Sequence, residues 1–142
     1  MPLSIPLLRE VFVLAVASSL AGCCVSYGRV ADLDRSNTRI PSDASTLLAA
    51  VERAVQPLGF DGRLGYWGDP RNGGHPAYFV RHGRDALHAL IDDQTLTIGL
   101  SWQWNTRSDF VGQVQDAIGR EFATTYGTTL QFKDRACGWF GP

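Results

Sequence analysis

Three histidines and three cysteines are the nitrogen and sulfur ligands that this 142-residue chain could offer a metal ion. A metal site needs three or four ligands that converge on one point. His75 lies in a turn-forming stretch, and His82 and His88 point to opposite faces of the sheet predicted below. A three-residue turn between those two histidines would instead bring both to one face. The cysteines have no Cys-X-X-Cys spacing, which argues against a redox or zinc motif. The sequence therefore predicts no metal site and no cofactor.

Motifs for nucleophilic or acid–base catalysis do not stand out either. There is no Gly-X-Ser-X-Gly motif, and no serine or cysteine lies in a recognisable nucleophile motif. Asp92 and Asp93 are adjacent carboxylates, but at a hairpin connection such residues usually supply turn hydrogen bonds. The glycines of residues 69–74 are not followed by a helix, so they lack the context of a phosphate-binding loop. We therefore expect no catalytic residues and a protein that is not an enzyme, with a hydrolase as the least favoured alternative.

Aromatic residues near the ends of predicted elements are better candidates for a functional surface. Exposed tyrosines and tryptophans often contact a partner protein, a sugar or a membrane interface. The alternative is that these residues close the core at the sheet edge. Trp102 is expected to do so, because it falls on the apolar face of its strand. The candidate partner-binding residues are Tyr66, Trp67, Trp104 and Trp139.

Two amphipathic helices are predicted on either side of the central part of the chain. The first begins at a cap formed by Ser42 or Asp43 and has ended by Gly59. The second begins at Ser108 and stops at Gly127, a natural C-terminal signal. The apolar residues at helical spacing are Leu47, Leu48, Val51, Val55 and Leu58 in the first helix and Phe110, Val114, Ala117, Ile118 and Phe122 in the second.

Three closely spaced strands between the helices predict an antiparallel meander. Pairing Val80 with Ala89, and Ala89 with Ile98, places the apolar residues of all three strands on one face. A one-residue slip would turn that whole set toward solvent. The predicted strands are Ala77–His82, Ala86–Asp92 and Thr95–Trp102. The opposite face carries Arg81, His88, Thr95, Thr97 and Ser101, and is expected to be the wetter one.

Two further strands complete the predicted architecture. A short strand is expected within residues 60–67, and a last strand at residues 128–133. The order of elements predicts an α+β two-layer sandwich. In it, a three-stranded antiparallel meander plus a C-terminal strand is covered on one face by two helices, in the order α-β-β-β-α-β.

An apolar run at the N-terminus predicts where the protein works. Residues 11–22 are apolar or small except for two serines, and as a helix they would span about 18 Å. That is too short for the roughly 30 Å hydrocarbon core of a bilayer, but it fits the apolar region of a signal peptide. The run closes with Leu20-Ala21-Gly22-Cys23. This ending resembles the lipobox of bacterial lipoproteins.

The resemblance covers about the first 24 residues and implies an address. It implies a signal peptide over residues 1–22, cleavage before Cys23, and acylation of that cysteine by palmitate-type chains, which would hold the protein on the membrane. Cys24, rather than an aspartate, follows the modified residue. By analogy with lipoprotein sorting, the expected location in the cell envelope is the periplasmic face of the outer membrane. Residues 23–41 would then be the lipidated cysteine and a polar linker that holds the domain some tens of ångströms from the lipid, and residues 42–142 the globular domain.

The remaining cysteines and the net charge complete the expected picture. With Cys23 lipidated, Cys24 and Cys137 could form a disulfide in the oxidising periplasm, or remain free thiols. The formal net charge is −1, so nucleic acid is not an expected partner. We expect a lipid-anchored envelope protein that binds a protein partner without catalysis, as an assembly factor, adaptor or immunity-type inhibitor. The alternative is a cell-wall glycan binder that uses the same aromatic residues.

Overall fold

The computed structural model describes residues 26–103 and 109–136, which form one antiparallel sheet with two helices on one face. The α+β class and the two-layer arrangement are confirmed. Across the sheet the strands lie in the order β2-β3-β4-β5-β1-β6. The strands are β1 (Ser26–Asp34), β2 (Gly62–Trp67), β3 (His75–His82), β4 (Asp85–Ile91), β5 (Thr95–Gln103) and β6 (Lys133–Ala136), and the helices are α1 (Ala44–Val55) and α2 (Asp109–Tyr126), with 3₁₀ turns at Gln56–Leu58 and Pro70–Asn72. Within the described ranges no helix is both long and apolar enough to cross a membrane.

The meander β3-β4-β5 forms the centre of the sheet. The predicted register between β4 and β5 is confirmed, with Ala89 opposite Ile98. Between β3 and β4 the register is shifted by two residues, because Val80 lies opposite Leu87 instead of Ala89. The cause is a tighter turn than expected, in which Gly83 has a φ of 61° as two-residue hairpin turns require. A shift of two residues leaves every side chain on its predicted face.

The first helix begins at its predicted cap, and both helices end close to the glycines that predicted their ends. Asp43 is the N-cap of α1, and its carboxylate accepts a hydrogen bond from the Thr46 backbone N–H at 2.9 Å. Hydrogen bonds from the Ser45 and Thr46 hydroxyls lower the pKa of Asp43 to about 2. Gly127 stops α2 with a φ of 62°. The fully buried residues between helices and sheet include Leu47, Val51, Val55, Leu87, Ala89, Leu96, Ile98, Leu100, Val114, Ile118 and Phe122.

Strand β1 corrects the predicted polar linker at residues 23–41. It pairs with β5 along its whole length, from Ser26 opposite Gln103 to Asp34 opposite Thr95, and it also pairs with β6. Leu33 is buried on the helix-covered side, and Asp32 and Asp34 are exposed on the other side, where Val30 is buried as well. The globular part of the chain therefore includes residues that were assigned to the linker. Three residue steps separate the cysteine at position 23 from β1, at most about 10 Å of chain, so the predicted spacing of tens of ångströms is wrong.

The two strands that were predicted from weaker sequence patterns lie near their expected positions. β2 lies within residues 60–67, as predicted. The last strand lies further along the chain than the predicted 128–133, because Leu130 and Phe132 pack against the core as a connection from α2. The residues that then pair with β1 are the charged ones from Lys133 onward.

Candidate binding site at the β2 edge

Strand β2 ends the sheet on one side and carries large exposed apolar side chains. Among the described residues its strand neighbour is β3, so its outer backbone edge has no partner strand. Leu64 and Tyr66 lie on the helix-covered side of the sheet, opposite Tyr78 and Pro76. They are nevertheless 61% and 56% exposed, because α1 packs mainly over β3. An open backbone edge and an apolar surface therefore coincide at this strand.

The start of β2 is held in place by an aromatic ring from the neighbouring strand. The ring of Tyr78 lies over Gly62, where an added Cβ would come within 1.8 Å of the tyrosine hydroxyl oxygen. Tyr78 is only 1% exposed, and burial raises the pKa of its hydroxyl, with a further contribution from the charge of Glu52. An aromatic ring that covers an edge glycine fixes the strand and its register. The exposed edge is thus part of the ordered sheet.

Strand β6, at the opposite edge, is short and charged. Its Lys133, Asp134 and Arg135 are all exposed. Arg29 of β1 donates from Nε to the Asp134 carboxylate at 2.7 Å and from Nη1 to the Gln115 side chain at 2.9 Å. Short, charged edge strands are a common means of preventing the addition of another strand. The β6 edge is protected in this way, whereas the β2 edge carries apolar residues.

The face of the sheet away from the helices, which we call the open face, has an aromatic cluster beside β2. Ring centroids lie 6.3 Å apart for Trp67 and Phe79, 5.7 Å for Trp67 and His88, and 5.3 Å for Phe79 and His88. The prediction that this face is the wetter one is confirmed over β4, whose residues on this face are half-buried while those on the helix-covered face are buried, although the cluster makes the face more aromatic than expected. It is also confirmed over β5, where the Thr97 hydroxyl donates to the Asp32 carboxylate at 2.9 Å, whereas Val30 of β1 is buried on the same face.

Positive charge borders the aromatic cluster. Arg63 lies opposite Phe79 on the open face, and Arg81 is two residues further along β3 on the same face. Strands β2, β3 and β4 place no acidic residue on this face, since Asp85 is opposite His82 on the helix side. Burial, followed by the charge of Arg81, lowers the pKa of His88 to about 4. At neutral pH the two arginines, and not that histidine, supply the charge of this surface.

The histidines are dispersed, and two of them serve packing. His82 and His88 lie on opposite faces, as predicted from the pattern. The ring of His82 packs against Phe60 and Phe110, with centroid distances of 4.8 and 5.5 Å. His75 is exposed at the start of β3. In the ranges 26–103 and 109–136, no group of three or more metal-binding side chains comes together.

Of the two adjacent carboxylates in the β4–β5 connection, Asp92 forms hydrogen bonds within the turn. The Asp92 carboxylate accepts hydrogen bonds from the backbone N–H groups of Gln94 at 2.8 Å and Thr95 at 2.6 Å, which confirms its predicted role. A polar cleft beside this turn has a volume of about 690 Å³. Arg35 lines the cleft, and its guanidinium donates to the backbone carbonyls of Asp92 and Ser42. The guanidinium of Arg35 thus connects two loops by hydrogen bonds.

The predicted partner-binding residues are only partly placed by the structure. Tyr66 and Trp67 lie on opposite faces of β2, so they are neighbours in the strand without forming one surface. Leu64, Arg63 and Phe79 complete the two surfaces and were not predicted. Their alternation along β2 and β3 is visible in the sequence, but nothing there shows which strand lies at the edge. The remaining predicted residues, Cys23, Cys24, Trp104, Cys137 and Trp139, lie outside the described residues.

Comparison with known proteins gives no further guide to this site. Neither the protein-family models nor the curated protein sequences contain a match to the chain.

Proposed function

We propose that this protein is a non-catalytic binding module that captures an extended segment of another protein along β2. The observation that carries the proposal is the exposure of Leu64 and Tyr66 on a strand with an open backbone edge. In strand addition, backbone hydrogen bonds supply affinity and the alternating side chains supply specificity. The charged β6 edge of the same sheet offers no such surface. This mode of binding suits an assembly factor, an adaptor or an immunity-type inhibitor.

The proposal includes a lipid anchor at Cys23, on the periplasmic face of the outer membrane. The lipobox-like Leu20-Ala21-Gly22-Cys23 supports the anchor. The geometry of the sheet is compatible with an anchor at Cys23 and a binding edge at β2 in the same molecule. Leu64 is level with Ala31 across the sheet, five residues along β1 from Ser26, or about 17 Å at the rise of a strand. The binding edge would therefore stand clear of the tethered end.

A site-specific crosslinking experiment tests the binding edge. A photo-activated side chain would replace Tyr66 in the full-length protein expressed in its own cell envelope, with Lys133 of β6 as the matched position. We expect crosslinks to a partner protein from position 66, and their loss when Leu64→Lys is added. Equal crosslinking from position 133, or crosslinks unaffected by Leu64→Lys, would overturn the proposal. Because Leu64 is exposed, the lysine should leave the fold intact, which circular dichroism can verify.

Acyl-chain labelling tests the anchor separately. Cys23→Ser should abolish incorporation of labelled palmitate and cleavage at this site, while Cys24→Ser should retain both. Labelling that persists in the Cys23→Ser protein would show that the anchor is assigned wrongly, without affecting the binding edge.

Cell-wall glycan binding is the alternative function, and it would use the open face. The observation that favours it is the half-buried Trp67 stacked beside Phe79, since aromatic rings offer an apolar surface with a polar rim. The two functions predict opposite results for two variants. Trp67→Ala should reduce binding to isolated cell-wall glycan far more than it reduces the protein crosslink, whereas Leu64→Lys should do the reverse.

A further inference from the structure

We infer that the segment captured by β2 alternates acidic and apolar side chains. This inference rests on the proposed function and specifies the chemistry of its partner. A strand added to β2 would direct successive side chains to the two faces of the sheet. The two faces of β2 differ in chemistry, so the two sets of side chains in the partner must differ as well.

On the helix-covered side the added strand would meet Leu64 and Tyr66. Side chains directly opposite each other in antiparallel strands have Cβ atoms about 4.5–5.5 Å apart. Apolar residues at these positions would cover two side chains that are now more than half exposed. Burial of that apolar surface favours binding. Every second residue of the partner segment is therefore expected to be apolar.

On the open face the added strand would meet Arg63, Gly65 and Trp67 in turn. Arg63 is exposed, and no acidic residue of β2, β3 or β4 lies on this face to neutralise it or Arg81. Gly65 has no side chain, and an added Cβ would meet only the Phe79 ring, at 3.7 Å, so a partner side chain can approach over that ring. Opposite charges across strands stabilise pairing, and like charges directly opposite each other destabilise it. Acidic residues are therefore favoured at the positions that face Arg63 and Gly65.

Other charges near β2 restrict this preference to the middle of the segment. Asp61 precedes the strand and Asp69 follows it, so a negative side chain gains little at either end. The Asp69 carboxylate is already used in the following turn, where it accepts from the Arg71 backbone N–H at 2.9 Å. The sheet thus offers a cationic stretch of about three residues with aromatic surface beside it, on one face of an otherwise apolar edge.

Three synthetic octapeptides test the inference with the full-length protein in detergent. Each alternates valine with a second residue: glutamate, serine or lysine. We expect fluorescence anisotropy to show that the glutamate peptide binds at least about tenfold more tightly than the lysine peptide at low salt, with the serine peptide between them. Arg63→Glu should reverse the order of the charged peptides. Arg135→Glu on β6 is the matched control and should leave the order unchanged.

The outcomes separate this inference from the proposed function. If all three peptides bind equally and Leu64→Lys abolishes binding of each, β2 captures strands but the acidic preference is refuted. If no peptide binds in a manner that depends on Leu64, strand capture itself is refuted. An order that Arg135→Glu changes as much as Arg63→Glu does would place the charge effect away from β2 and overturn the inference.

Discussion

The two edge strands of the sheet, β6 and β2, carry opposite kinds of side chain. β6 has four residues, three of which are charged, and one of its charges is paired with Arg29 of the adjacent strand. β2 has six residues and exposes Leu64 and Tyr66 beside its open backbone. Both edges belong to the same sheet and would face the same solvent. An exposed apolar edge favours association and a charged edge opposes it, so the two edges differ in what another strand would meet.

The largest expected effect comes from removing one edge altogether. A chain that begins at residue 42 lacks β1, the strand between β5 and β6. Without it, β6 has no strand to pair with, and β5 becomes a new edge with apolar residues. We expect this truncated chain to lose cooperative urea unfolding and to aggregate, while a chain that begins at residue 25 unfolds in one step. Cooperative unfolding of the shorter chain would mean that residues 42–142 suffice for the fold, and that β6 is not needed for it.

The next effect tests the core on which both edges depend. Ile98 is fully buried on the helix-covered face, whereas Thr97 lies on the open face. Ile98→Ala should lower the free energy of unfolding by about 2–5 kcal/mol through lost burial and a residual cavity. Thr97→Ala removes a partly exposed hydrogen bond, so about 1 kcal/mol or less is expected. Urea midpoints at unchanged slope measure both losses, and equal losses would show that both faces are covered.

His88, in the half of the sheet next to β2, should make the stability of the protein depend on pH. The pKa of His88 is about 4 in the folded protein, below the ordinary 6.5, so the unfolded chain takes up the proton first as pH falls. Stability should therefore decrease between about pH 6.5 and 4, by up to about 3 kcal/mol, and change little from this source below that range. His88→Phe should flatten this part of the profile, and the exposed His75→Gln should not. An unchanged slope in the His88→Phe protein would contradict the assignment.

A smaller effect distinguishes two glycines within the β2 edge. Gly62→Ala places a methyl group inside the buried ring of Tyr78, while at Gly65 the nearest atom would be 3.7 Å away, an ordinary contact. We expect Gly62→Ala to cost about 1–3 kcal/mol through overpacking and to disturb the edge, and Gly65→Ala to cost much less. Thermal unfolding of both proteins provides the measurement. A Gly65→Ala protein as unstable as the Gly62→Ala protein would argue against the aromatic ring as the cause.

The smallest effect concerns the ion pair at β6. The Asp134 side chain is 80% exposed, so Asp134→Asn should change the free energy of unfolding by only about 0.2–1 kcal/mol, and less at high salt. Urea unfolding at low and high salt measures this change.

The charges of β6 should have a larger effect on association than on stability. Replacing Lys133, Asp134 and Arg135 together by threonine should promote concentration-dependent self-association, visible by analytical ultracentrifugation. A triple variant that remains monomeric would show that these charges do not protect the edge.

Pattern-based prediction succeeded where neighbouring strands carry their own periodicity. The alternation around Ala89 and Ile98 was sufficient to define the face and the register of β4 and β5. β1 was missed because Arg29 interrupts its apolar face, and the charge partner of Arg29, Asp134, lies 105 residues further along the chain. At the candidate site, Tyr66 and Trp67 were predicted as aromatic residues near a strand end. The exposure of Leu64 was not predicted, because the edge position of β2 depends on the order of strands across the whole sheet.

The position of β1 also has a consequence for the time course of folding. β1 is the first strand along the chain, but its partner β5 follows only after α1 and three other strands. Loop closure over such a distance slows pairing, whereas the β3-β4-β5 hairpins close locally. We therefore expect β1 to dock late, onto a meander whose β5 edge is exposed in the meantime, and this interval is when the chain is most prone to aggregate. Pulsed hydrogen exchange during refolding should protect the amides of β4 before those of β1, and simultaneous protection would exclude this order of events.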